Sequence, residues 1–93
     1  MDMPQETVTD MLAERGQRYG VFVGHADITQ VLKGVMRTRP GWERLDDDMK
    51  EALEMVAHKI GRILNGDPHY DDSWKDIAGY AMLVADRLNG VSR

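Results

Sequence analysis

Apolar residues recur at helical spacing along most of the chain, and no segment sustains the period-two alternation of a half-buried strand. Between His25 and Thr38 they fall at Ile28, Val31, Leu32, Val35 and Met36, which is i, i+3, i+4, i+7 and i+8, one stripe of an amphipathic helix. Pro40 and Gly41 close it, because proline restricts the residue before it and brings no donor to the ladder. A longer pattern opens at Asp46-Asp47-Asp48, which offers an N-cap and negative charge suited to the helix dipole. It runs to about Asn65 and carries Met49, Leu53, Val56, Ala57, Ile60, Ile63 and Leu64. Gly66 is expected to stop it in a left-handed conformation, with Pro68 beyond. The stripe Trp74, Ile77, Ala78, Ala81, Val84, Ala85 and Leu88 predicts a last helix, capped by Asp71 or Asp72 and reaching about Asn89 before Gly90. A short first helix is predicted over residues 5–15, with Thr7 and Asp10 resembling a capping box and Gly16 a stop. Residues 17–24 hold Tyr19, Phe22 and two glycines and read as a loop that tucks aromatic groups against the body.

These elements predict an all-α four-helix bundle, three long helices plus one short N-terminal one, with the third and fourth as a central antiparallel hairpin. The 93 residues suffice for one domain, divided into the N-terminal helix and aromatic loop (residues 1–24) and a helical core (25–93). Gly61 and Gly79 fall inside helices, where glycine costs about 1 kcal/mol against alanine, so something is expected to pack closely at both.

Composition narrows the function. A hydrophobic fraction of 42 % and a charged fraction of 30 % suit a folded globular chain. No apolar run approaches the ~20 residues of a membrane span, and no signal peptide opens the sequence. Cysteine is absent, which excludes disulfides, thiol catalysis and thiolate metal sites and suits a cytoplasmic protein. A net charge of −4 without a cluster of Lys or Arg disfavours general nucleic-acid binding. So small a domain buries only about two-thirds of its unfolded surface, and a homo-oligomer, in its simplest form a dimer, is expected to cover more.

The candidate chemistry gathers around the predicted hairpin. Glu51, Glu54, His58 and Arg62 share one side of the third helix, and Asp72, Asp76 and Tyr80 line a strip of the fourth that Leu83 extends. In one reading Glu51, Glu54, Asp72 and Asp76 hold Mg²⁺, an ion that takes oxygen ligands and keeps substrate phosphates, while Lys59 and Arg62 neutralise those phosphates. In the other the glutamates form a solvated face, Asp72 is a cap and Asp76 latches onto Lys59 or Arg62. His25, His58 and His69 lack zinc-ligand spacing. Tyr19, Phe22 and His25, with Trp74 and Tyr80, are either a pocket for a nucleobase or hydrophobic filling.

The pattern Glu14-Arg15-Gly16, Arg18-Tyr19-Gly20, His25-Ala26, Lys59-Ile60-x-Arg62-Ile63 and Asp72-Ser73-Trp74-x-Asp76-Ile77-Ala78-Gly79-Tyr80 resembles a family of small phage and prophage proteins similar to the nucleotide modification associated domains. The resemblance spans roughly residues 14–88. More distantly the chain is similar to MazG-type all-α nucleoside triphosphate pyrophosphohydrolases, whose Glu-x-x-Glu and Glu-x-x-Asp pairs hold Mg²⁺. Glu51-Ala-Leu-Glu54 matches the first pair, whereas Ser73-Trp-Lys-Asp76 puts serine where the second expects glutamate. The resemblance implies a nucleotide-binding phage protein in the cytoplasm of an infected or lysogenic bacterium, acting in nucleotide metabolism or DNA modification, with Mg²⁺-dependent phosphoanhydride hydrolysis as one form. The alternative is a non-catalytic binder that inhibits a host protein or sequesters a nucleotide signal.

Overall fold

Helix α3 (Asp47–Asn65) is the longest element and the one on which the others assemble. The computed structural model describes residues 5–93, which form α1 (Gln5–Tyr19), α2 (Phe22–Arg37), a 3₁₀ turn (Pro40–Arg44), α3 and α4 (Asp72–Leu88), with no strand among the described residues. The chain is thus the all-α bundle that its periodicity predicts. Helices α2 and α4 both pack on α3 with little contact between them, and α1 leans on α2 and α3. Among the described residues no helix is long and apolar enough to cross a membrane.

The α3–α4 hairpin is tied at one end by charge. Asp46 occupies the N-cap position of α3 but makes no side-chain cap bond. Instead Asp46 and Asp48 both accept from the Arg87 guanidinium in the last turn of α4, Nη2 to Asp46 Oδ2 at 2.9 Å and Nε to Asp48 Oδ2 at 2.8 Å. This contact holds the Asp48 carboxyl below its ordinary range and raises Arg87 further. Asp71 likewise fills the N-cap position of α4 without capping it and pairs with Lys75 at 2.8 Å.

Several boundaries differ from expectation. Helix α1 continues through Gly16, and residues 17–24 are not a loop: only Gly20 and Val21 separate α1 from α2. Nothing crowds Gly16, and one interior glycine is a small loss for a packed helix. Gly20 is the true stop, at φ +77° with its N–H donating to the Gly16 carbonyl at 2.9 Å. Thr7 and Asp10 lie inside α1. Pro40 opens the 3₁₀ turn after α2 has ended at Arg37. Gly66 caps α3 at φ −130°, so it is not left-handed. Its missing side chain serves a close approach, since a Cβ there would overlap the backbone of Arg18 and Tyr19. Gly61 is crowded by Thr29 and His25 as expected, whereas nothing approaches Gly79.

The core is thin. Ala57 is the one buried hydrophobic residue among those described, and the expected core residues Leu53, Leu64, Trp74 and Leu88 are exposed. The stripe of α4 divides: Ser73 is buried and Ile77, Tyr80 and Val84 are half-buried, while Ala78, Ala81 and Ala85 face outward. A helix packed on a single neighbour buries a narrow line, whereas the predicted stripe is wide enough for two.

Candidate functional site

The Gly20 turn sets the last turns of α1 beside the first turns of α2, and both lie over the C-terminal half of α3. Asn65 fastens this junction. Its side-chain amide donates to the carbonyls of Tyr19 and Val21, both at 2.8 Å, and the Asp67 N–H donates to the Arg18 carbonyl at 2.7 Å. The otherwise open end of α1 thereby receives its hydrogen bonds from the last residue of α3 and the turn that follows it. Asn65→Ala is expected to leave two carbonyls without these donors and cost about 1–3 kcal/mol, read as a lower melting temperature with faster hydrogen exchange in α1 than in α4.

Under the junction lies a cavity of about 440 Å³, lined by Leu12, Arg15, Tyr19, Phe22, His25, His58 and Arg62 together with the Gly20 turn. A second hollow of about 310 Å³ shares Arg15, Tyr19 and Arg62 with it and adds Glu14, Arg18 and Tyr70. Two arginines stack on tyrosines here: the Arg62 guanidinium carbon sits 4.1 Å from the Tyr19 ring centre, and that of Arg18 sits 4.0 Å from Tyr70. Such stacking holds each guanidinium in place; Arg18 also pairs with Glu14 at 3.5 Å, whereas the N–H edge of Arg62 is left available to an anion. Although the protein is acidic overall, no carboxylate among the described residues lines the larger cavity. Among the described residues Arg15 and Arg62 make no ion pair.

His25 and His58 meet at the floor, Nε2 to Nδ1 at 3.3 Å, with the rings edge to face and their centres 4.5 Å apart. Burial, and then the positive charge of Arg62, holds His25 below its ordinary pKa. Burial, His25 and Arg62 push His58 down to about 4. Both rings are therefore neutral near pH 7, and they meet a ligand as hydrogen-bonding groups. The sign of the linked stability follows. As pH falls through about 6.5 the unfolded chain takes up a proton that folded His58 refuses until about 4. Stability is expected to fall across that window by at most about 3 kcal/mol, and by less where water reaches the ring. Melting curves from pH 7 to 4 should slope less for His58→Gln than for the parent, and equal slopes would remove His58 as the cause.

Of the residues singled out from sequence, Tyr19, Phe22, His25 and Arg62 come together in this cavity. Lys59 does not, being buried against Asp76 with Nζ 2.9 Å from Oδ2. Trp74 is exposed at the α3–α4 turn, its indole N–H donating to the Pro68 carbonyl at 3.0 Å, and Tyr80 lines a separate groove with Glu51 and Arg87. The four carboxylates considered for Mg²⁺ are dispersed. Glu54 binds Arg37, Asp76 binds Lys59, Asp72 accepts from the Tyr70 hydroxyl at 2.8 Å, and Glu51 sits in the groove beside Asp48. Among the described residues no three His, Asp or Glu side chains are placed to share a metal ion. Arg15, Arg18 and Tyr70 line the cavities without being singled out by the sequence pattern as pocket residues. Arg15 and Arg18, at i and i+3, share a face only if α1 continues past Gly16, so the expected stop there concealed them. Compared with protein-family models, curated proteins and solved structures, the chain shows no match.

Proposed function

We propose that the chain binds a small anionic ligand carrying a planar ring, with a nucleotide as the best-fitting class, and that it holds this ligand without turning it over. The observation that carries the reading is the cavity itself: arginine, neutral histidine and aromatic side chains with no carboxylate among the described residues, in a protein of net charge −4. Arg15 and Arg62 supply forked donors for phosphate oxygens, and Tyr19 and Phe22 supply rings for a base to pack on. His25 and His58, neutral and hydrogen-bonded to each other, offer donor and acceptor edges without adding charge. Binding without turnover is preferred because Mg²⁺-assisted attack on a phosphoanhydride needs converging oxygen ligands, and three of the four candidate carboxylates are engaged separately by Arg37, Lys59 and Tyr70 while Glu51 lies in another groove. The resemblance to small phage proteins gives such a binder a setting, removal of a nucleotide signal in an infected bacterium.

A thermal-shift panel of mono-, di-, tri- and cyclic nucleotides, with and without Mg²⁺, tests this, because a ligand selective for the folded state raises the melting temperature by mass action. At least one nucleotide is expected to give a shift that survives chelation of Mg²⁺. Arg62→Met should weaken that binding by about tenfold or more, the worth of one charge-assisted contact, while the unliganded melting temperature stays near that of the parent. A panel without any shift would overturn the proposal, and a shift that requires Mg²⁺ with release of product would replace binding by hydrolysis.

A further inference from the structure

Helix α4 carries a second apolar face that the fold leaves uncovered. Trp74, Ala78, Ala81, Ala85 and Leu88 recur at i, i+4, i+7, i+11 and i+14, the alternating spacing of a coiled-coil seam, and all five are exposed. With Met82, which is 56 % exposed, they cover about 120° of the helix at 100° per residue, and no charged residue falls within that arc. The line that faces α3, Ser73, Ile77, Tyr80 and Val84, lies beside this face and does not use it. Helix α4 packs substantially only on α3, so neither α1 nor α2 covers the seam.

The surface area says how much is left to cover. A folded monomer of 10.6 kDa is expected to expose about 5,500 Å², and this chain exposes 6836 Å². Its Cα radius of gyration of 15.7 Å likewise exceeds the ~12 Å typical of a domain of this length. The surplus is larger than the ~800 Å² that each partner contributes to an interface of standard size.

We infer that the chain forms a two-fold dimer through α4, in which the Ala78-Ala81-Ala85 seam of one copy packs antiparallel against that of a second copy. The axis passes by Ala81. This register sets Ala78 beside Ala85 of the second copy and Trp74 beside its Leu88, so small residues meet at the centre and large ones close both ends. Alanines at the centre let the two backbones approach closely. Charge is compatible with the same register: Lys75 and Asp86, paired within the chain with Asp71 and Arg93, edge the seam on one side, and the two-fold sets Lys75 of each copy near Asp86 of the other. The cavity under the α1–α2 turn is lined by α1, α2 and α3 only, so this dimer leaves it open.

The absence of cysteine makes the test direct. Sedimentation of the parent across a wide dilution series should give twice the chain mass, and a monomer at every concentration would overturn the inference. Ala81→Glu, at a position already exposed in the single chain, should keep the helical circular dichroism and weaken association at least about a hundredfold by opposing like charges on the axis. A fully dimeric Ala81→Glu protein would also overturn it. In a parent that dimerises, Ala81→Cys should form a disulfide-linked dimer under mild oxidation, whereas Val31→Cys on α2 should not. Equal linking at Ala78→Cys, Ala81→Cys and Ala85→Cys would mean a parallel pair and refute the antiparallel register.

Discussion

Gly66→Ala is expected to produce a large loss of stability, comparable to the loss from adding a methyl group at Gly20, where a Cβ would meet the Asn65 backbone. The new Cβ would fall on backbone atoms of Arg18 and Tyr19, which cannot rotate aside as a side-chain end does. Relief requires α1 to move off the end of α3, which pulls the Asp67 N–H away from the Arg18 carbonyl and the Asn65 amide away from the carbonyls of Tyr19 and Val21. Overpacking of this kind costs about 3 kcal/mol at the upper end of its usual range. For a domain of this size that is a drop of ~12–24 °C in melting temperature. The same substitution at Gly79 should have the opposite sign. Nothing lies within 4 Å of a Cβ there and the residue is helical, so alanine contributes up to about 1 kcal/mol through helix propensity. Thermal melts of both variants check the pair, and a Gly66→Ala protein melting within a few degrees of the parent would mean that the α1–α3 junction is looser than its geometry. Because Tyr19, Arg15 and Arg62 meet only when α1 is seated, Gly66→Ala should also lose whatever ligand the parent binds.

What the residues disclosed in advance depended on the range of the interaction. The limits of α3 and α4 were legible because an acidic first turn, an apolar repeat and a following glycine agree locally. Local pattern places the end of α1 at Gly16, whereas the stop at Gly20 depends on tertiary contacts, since Gly20 approaches Asn65 while nothing approaches Gly16. Periodicity showed that α4 is apolar over a wide arc, yet it did not show that α3 covers only the line through Ser73, Ile77 and Val84. Tyr19, Phe22, His25 and Arg62 were each visible as candidates. Their convergence with His58 rests on the Asn65 clasp to carbonyls more than forty residues earlier, which no local pattern encodes. For the glutamates the spacing was right and the inference incomplete: Glu51 and Glu54 do lie on one helix, but Arg37 from α2 reaches Glu54 and the carboxylates of α4 go elsewhere.

Asp76→Asn is expected to lower stability, and the way it does so decides between a latch and a ligand. The Lys59 side chain is only 10 % exposed and Asp76 is its one carboxylate partner at ion-pair distance among the described residues, whereas Asp76 itself is 48 % exposed. Removing one member of a fully buried pair costs about 3–5 kcal/mol, because the other charge is left out of water alone. With half of Asp76 in solvent, water is able to replace part of that interaction, and about 1–2 kcal/mol is expected. The asymmetry predicts the reverse experiment. Lys59→Met removes the buried charge, fills the same channel with an unbranched chain and leaves an exposed carboxylate that water already hydrates, so it should cost less than Asp76→Asn. In the Lys59→Met background the further change Asp76→Asn should cost almost nothing, a non-additivity of about 1–2 kcal/mol that chemical denaturation of the four proteins measures directly. A carboxylate waiting for Mg²⁺ behaves otherwise: Asp76→Asn would leave the melting temperature unchanged or raised and abolish any Mg²⁺-dependent shift with nucleotide. Coupling between positions 59 and 76 with an Mg²⁺-independent ligand shift therefore supports the latch and the non-catalytic reading together, and an uncoupled pair would return Asp76 to the candidates for chemistry.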